Sequence, residues 1–237
     1  MPEIDVAATM SPATSGGPAR PAAVLWDMDG TLVDTEPYWI NAERELVEGA
    51  GGVWSDELAH QLVGNDLMVS ARFILDNSPL EMDPVDVVEA LLARVIDQVR
   101  GHVPWRPGAK ELLEALHADG VPCALVTMSW RSLAEAVVEA LPAGWFVALV
   151  TGDEVTHGKP HPEPYLRGAE VLGVAPGSCV ALEDSPTGVR SATTAGVPTI
   201  AIPHIVDIPV LPGSVKVPTL VGLTPADLLP TVAGAHI

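Results

Sequence analysis

The chain has 237 residues, 48% of them hydrophobic, and a formal net charge of −19 with only three lysines, Lys110, Lys159 and Lys216. That length holds one α/β domain with a sizeable insertion, or two small domains sharing a site. So acidic a chain argues against nucleic acid or an anionic membrane as a partner, and any anionic ligand must be met by local cations.

Residues 1–21 are rich in Pro, Ala, Ser, Thr and Gly without apolar periodicity, and read as a disordered leader. They lack the basic and apolar regions of a secretory signal. Residues 22–34, Ala-Ala-Val-Leu-Trp-Asp-Met-Asp-Gly-Thr-Leu-Val-Asp, then form a short apolar run that delivers two carboxylates at its end. Such a run suits a buried parallel strand, and ligands of open α/β sheets gather at the carboxyl ends of such strands. Alternation would put Asp27 and Asp29 on one side, able to share a cation or divide nucleophilic and proton-transfer roles. Gly30 lets the backbone turn sharply and approach a ligand closely.

Thr35 is placed to cap a helix with Pro37 near its start, an amphipathic segment from Tyr38 to Glu48 that ends at Gly49. Helical patterns follow at 56–64, 66–77 and 84–100, separated by Gly64-Asn65, Ser78-Pro79 and Asp83-Pro84. Residues 37–105 therefore read as an all-helical cap inserted after the first strand. The main domain, residues 22–36 and 106–237, resumes with a helix at 108–119.

Strands and helices then alternate: strands at Cys123–Thr127, Phe146–Thr151, Cys179–Glu183 and Pro198–Ile202, helices at 130–141, 162–173 and 186–195. A short strand at Pro218–Val221 and a helix capped by Thr224 close the pattern. This order predicts an α/β fold, a Rossmann-like doubly wound parallel sheet with helices on both faces. Cys123 and Cys179, each beside an interior apolar run, read as buried free thiols suited to a reducing compartment. No stretch is long and apolar enough to span a bilayer, so a cytoplasmic protein is expected.

Three further stretches carry chemistry. Thr127 sits at a strand's carboxyl end, where a hydroxyl and free N–H groups can hold phosphoryl oxygens, although a strand-end Thr often only caps a helix. Lys159 lies in His-Gly-Lys-Pro-His-Pro, and its ammonium could neutralise a bound phosphoryl group. The flanking His157 and His161 invite a zinc reading, but the sequence shows no matching ligands elsewhere. Glu183-Asp184-Ser185 ends a further strand, and with Asp27 and Asp29 it makes an oxygen-rich site for a hard cation such as Mg²⁺.

Asp-Met-Asp-Gly-Thr, Thr127, Lys159 and Glu183-Asp184, in this order, resemble the four signatures of the phosphotransferase branch of the haloacid dehalogenase superfamily. Asp34-Thr35-Glu36-Pro37 is similar to the β-phosphoglucomutase-like and sugar-phosphate phosphatase members. The resemblance implies a phosphatase in which Asp27 is the nucleophile and forms an aspartyl-phosphate, with Asp29 as acid and base. It implies Mg²⁺ held by Asp27, the Asp29 carbonyl and Asp184, with Glu183 alongside or acting through water. Thr127, Lys159 and the backbone N–H groups around Asp29, Gly30 and Met128 would hold the phosphoryl oxygens. Apart from the resemblance, Asn65, Trp39 and Met68 are candidates for cap residues that meet the substrate, with ordinary cap packing as the alternative.

The cap has no lysine, and Trp39 stands where the mutases carry a histidine, so hydrolysis of a small phosphate ester is expected over intramolecular transfer. Arg72 could partly supply a second phosphate grip, which leaves a mutase as the alternative. A non-catalytic phosphate-ligand binding protein is another. A monomer suffices for any of these.

Overall fold

A computed structural model describes residues 20–62 and 66–233 of the chain. Strand β1 (Ala23–Trp26) is followed by four helices, α1 (Glu36–Gly49), α2 (Asp56–His60), α3 (Leu67–Asp76) and α4 (Pro84–Gly101). Then come α5 (Ala109–Ala118), β2 (Cys123–Val126), α6 (Arg131–Glu139), β3 (Ala148–Val150) and α7 (Glu163–Val171). The chain continues through β4 (Cys179–Glu183), α8 (Pro186–Thr194), β5 (Thr199–Ala201), β6 (Ser214–Lys216) and α9 (Pro225–Ala233).

All six strands are parallel, in the order β3-β2-β1-β4-β5-β6. The chain builds outward from β1 in one direction, then crosses back and builds outward from β4 in the other. The β1–β4 border is therefore the switch point, outside whose carboxyl ends such sheets form their crevice.

The strand sequences are apolar throughout because both sheet faces are covered. Val24 and Trp26 join Leu125 and Leu182 in a core with Leu112, Leu113 and Leu133. Ala23 and Leu25 point to the other face, with Val126, Tyr165 and Ala192. Burying a side chain the size of Leu25 contributes about 1.5–3 kcal/mol. Helix α7 lies close on this face through Gly168, where an added Cβ would stand 2.9 Å from Val126 and 3.4 Å from Leu25.

The insertion between β1 and α5 contains only helices among the described residues. Its longest, α4, buries Val87, Val88, Leu91, Leu92, Val95 and Val99, the three-and-four spacing of an amphipathic helix. Packed against α1, α3 and α6, it makes the apolar core continuous from the insertion to the sheet.

Three expectations are corrected. No strand forms at Pro218–Val221; the sixth strand is Ser214–Lys216, in register with Thr199–Ala201. Pro218 has no N–H for a ladder. The backbone of Leu220 and Val221 instead lies against Gly108, where a Cβ would stand 2.4 Å from either residue. Thr35 precedes α1 but makes no side-chain cap bond, its hydroxyl being used elsewhere. The helix expected at 56–64 is shorter, ending at His60, and residues 63–65 lie outside the described residues.

Candidate active site

Strand β1 stops at Trp26, and Asp27 follows with its N–H still donating to the Leu182 carbonyl at 3.0 Å. Its side chain is buried. One oxygen, Oδ1, accepts from Lys159 Nζ at 2.7 Å, while Oδ2 is buried with no hydrogen-bond partner among the described residues. The Lys159 ammonium also donates to the Val126 carbonyl at 2.9 Å and to Glu183 Oε1 at 2.6 Å, so its three protons are all used.

Glu183 is equally saturated. Its Oε1 also accepts from the Tyr165 hydroxyl at 2.9 Å, and Oε2 accepts from the Asp184 N–H, the Ser185 N–H and the Ser185 hydroxyl at 3.0–3.1 Å. Room for this carboxylate depends on Gly188, where a Cβ would stand 1.7 Å from Oε1. Glu183 therefore anchors Lys159 and the start of α8. Asp184, the next residue, is turned instead toward Gly30, where a Cβ would meet its Oδ2 at 2.0 Å.

Asp29 reaches the same crevice by a turn and not by strand alternation, because β1 has already ended. Gly30, at φ +88°, donates its N–H to the Val33 carbonyl at 2.7 Å, and the Leu32 and Val33 N–H groups close onto Met28. The Gly30 N–H is thus not free to hold a phosphoryl oxygen, and the glycine contributes conformation and space. Among the described residues, the N–H groups of Asp29 and Met128 donate to no acceptor.

Both Asp29 oxygens are held by hydroxyls: Oδ2 by Ser129 at 2.7 Å and Thr127 at 3.4 Å, Oδ1 by Thr35. Thr127 in turn accepts the Ser129 N–H at 3.0 Å. Sequence reasoning named Thr127 but missed Ser129, Thr35 as a site residue, and Tyr165. A hydroxyl two positions beyond Thr127, in the same strand-end turn, was the signal available for Ser129.

The electrostatics show what the cluster lacks. Three carboxylates, Asp27, Glu183 and Asp184, share one ammonium, and a fourth, Asp29, adds negative charge beside Asp27 and Asp184. Burial and the neighbouring Glu183 push the Asp27 carboxyl up to about 7 despite Lys159. Burial, then Asp27 and Glu183, push Asp184 up to about 9. Burial alone would lower the Lys159 ammonium, but Asp27 and Glu183 more than offset it and hold it above its ordinary value.

Carboxylate oxygens of Asp27, Glu183 and Asp184 lie within 4.8 Å of one another. The unpartnered Asp27 Oδ2, the excess negative charge and the all-oxygen donor set fit a hard divalent cation such as Mg²⁺.

Neighbouring loops brace the centre. Arg131 pairs with Glu154 through two parallel bonds of 2.8 and 2.5 Å, tying the start of α6 to the loop after β3. The Lys159 N–H meets Met128 Sδ at 3.2 Å, so the Met128 side chain joins the loop after β2 to the loop after β3.

Trp39 and Met68 are half-buried and pack against the main core, and Arg72 is exposed on α3. Asn65 lies outside the described residues. His157 and His161 flank Lys159 at the surface beside Glu163.

A family model, haloacid dehalogenase-like hydrolase, matches residues 21–196. Hexitol phosphatase B of Escherichia coli O157:H7 is 33% identical over 221 residues, 90% of this chain and 98% of that protein. Protein CbbY of Rhodobacter capsulatus is 33% identical over 192 residues, 76% of this chain and 85% of that protein. Among solved structures, a mutant of CbbY from Rhodobacter sphaeroides, in complex with xylulose-(1,5)bisphosphate, aligns with a TM-score of 0.79 and 26% identity. That alignment covers 88% of this chain and 99% of the other. The chain belongs to the haloacid dehalogenase-like hydrolases, and is an enzyme of that family.

Proposed function

We propose that the protein is a Mg²⁺-dependent phosphatase that hydrolyses a small phosphorylated carbohydrate through an aspartyl-phosphate on Asp27. The carrying observation is the asymmetry of the Asp27 carboxylate, with one oxygen fixed by Lys159 and the other buried without a partner among the described residues. Asp27 and Asp184, with the Asp29 carbonyl, would hold the cation, which when bound supplies charge neutralisation and orients the phosphoryl group. Both Glu183 oxygens are engaged by protein donors, which favours a role in positioning Lys159 over direct ligation.

In this reading Asp27 attacks phosphorus and the phosphorus–oxygen bond to the alcohol breaks. Asp29 gives its proton to the departing alkoxide, then takes one from the water that cleaves the acyl phosphate. Ser129, Thr127 and Thr35 keep that carboxyl aimed at the reacting oxygens. The free N–H groups of Asp29 and Met128 face developing negative charge on the phosphoryl oxygens, where positioning and neutralisation supply most of the catalysis. Residues 37–105 act as the cap that excludes bulk water and selects the alcohol.

The names of the relatives, a hexitol phosphatase and a protein crystallised with a sugar bisphosphate, support a polyol or sugar phosphate. Release of phosphate from a panel of hexitol, pentose and pentulose phosphates, with and without Mg²⁺, tests the reading. Mg²⁺-dependent turnover of at least one, lost in Asp27→Asn, is expected; a native protein that turns over none contradicts it.

A further inference from the structure

The structure puts a second donor cluster on the same loop as Lys159. His157 Nδ1 lies 3.0 Å from Glu163 Oε2, His161 Nδ1 lies 4.0 Å from the same oxygen, and the two rings are 4.5 Å apart. Zinc bound at about 2.0–2.2 Å in a tetrahedron needs donor separations of about 3.4 Å, between those two values. The fold thus brings Glu163 beside the two histidines as a third donor, all three within 4.8 Å of one another.

The donors are also pre-arranged. Glu163 is held by the Thr156 and His157 N–H groups at 2.7 and 3.0 Å, and these bonds orient its carboxylate as outer contacts do for metal ligands. His161 is fixed by its own N–H to the Gly158 carbonyl at 2.9 Å, and by its carbonyl accepting from Ser191 at 2.5 Å. Its Nδ1 accepts the Glu163 N–H at 3.2 Å and so already presents a lone pair, which ligation would transfer to the metal. Both imidazoles are half or more exposed, which leaves an entry path and room for water in the fourth position.

We propose that His157, His161 and Glu163 form a zinc site that clamps the Lys159 loop from outside. Two imidazoles with one carboxylate select a borderline metal such as Zn²⁺ over Mg²⁺, which takes oxygen donors. The site is separate from the all-carboxylate centre, and it stands or falls independently of the phosphatase reading.

Calorimetric titration of the full chain with zinc chloride, in saturating Mg²⁺, is expected to show one site per chain. Co²⁺ in its place should give the visible absorption of a four-coordinate ion. His157→Ala and His161→Ala, both at exposed positions and checked for folding by circular dichroism, should each weaken zinc at least about tenfold and remove that absorption. Asp184→Asn should leave both unchanged. Absence of zinc binding, a site that survives the two histidine variants, or one lost in Asp184→Asn would overturn the proposal.

Discussion

At the scale of single residues, the centre is governed by which polar atoms are already satisfied. Asp27 has one oxygen committed to Lys159 and one uncommitted, whereas Glu183 has none to spare. Ser129 makes the firmest hydroxyl contact to Asp29 after the short bond from Thr35. A hydrogen bond to a charged group contributes about 1.5–3 kcal/mol. Ser129→Ala should therefore lower kcat about 10- to 100-fold with little change in KM, as steady-state assays would show; an unaltered kcat removes Ser129 from the proton-transfer machinery. Gly188→Ala drives a methyl into Glu183 and should destabilise the fold by about 1–3 kcal/mol in urea titration, with Lys159 and activity lost together.

At the scale of elements, α1 carries a buried acid into the insertion's core. Glu43 accepts from Trp54 Nε1 at 3.0 Å, and burial pushes its carboxyl up from 4.5 to about 7, with the Trp54 bond opposing and Glu36 adding to the shift. A folded-state value above the unfolded one means that the native chain holds this proton more tightly. The stabilisation is full below about 4.5 and is lost as pH rises through about 7. Glu43→Gln, which keeps an acceptor for Trp54, should gain on the native protein by up to about 3 kcal/mol between pH 5 and pH 8 in denaturant melts. A difference that stays flat across that range would show the carboxyl to be unshifted.

The elements also show what was legible beforehand. Strands β1 and β4 stood out because a buried run ends abruptly in acids, and Lys159 because lysine is so scarce. Strand β6 was misplaced because three residues at a sheet edge carry too little pattern to outweigh the more apolar Pro218–Val221. Tyr165 looked like one more core aromatic on a helix, since nothing local shows that its hydroxyl will meet a glutamate eighteen residues on. Thr35 read as a helix cap because local chemistry favours it, and only the tertiary fold brings Asp29 within its reach.

At the scale of the whole molecule, a chain of net charge −19 gathers four acids at its switch point and gives them one buried ammonium. Mg²⁺ that binds the folded but not the unfolded chain should raise the melting temperature, adding about 2.7 kcal/mol of stability at a hundredfold excess over its dissociation constant. Chelation should abolish turnover reversibly, and scanning calorimetry with and without the ion checks the stability arm; a melting temperature indifferent to Mg²⁺ would argue against the cluster as its site. Among the described residues no helix is long and apolar enough to cross a membrane.

In the proposed reaction Asp27 itself receives the phosphoryl group. Mass spectrometry of enzyme quenched in acid during turnover of a sugar phosphate should find one added phosphoryl group, on the peptide that contains Asp27, absent from Asp27→Asn. A phosphoryl group on any other residue, or full turnover by Asp27→Asn, would contradict the account.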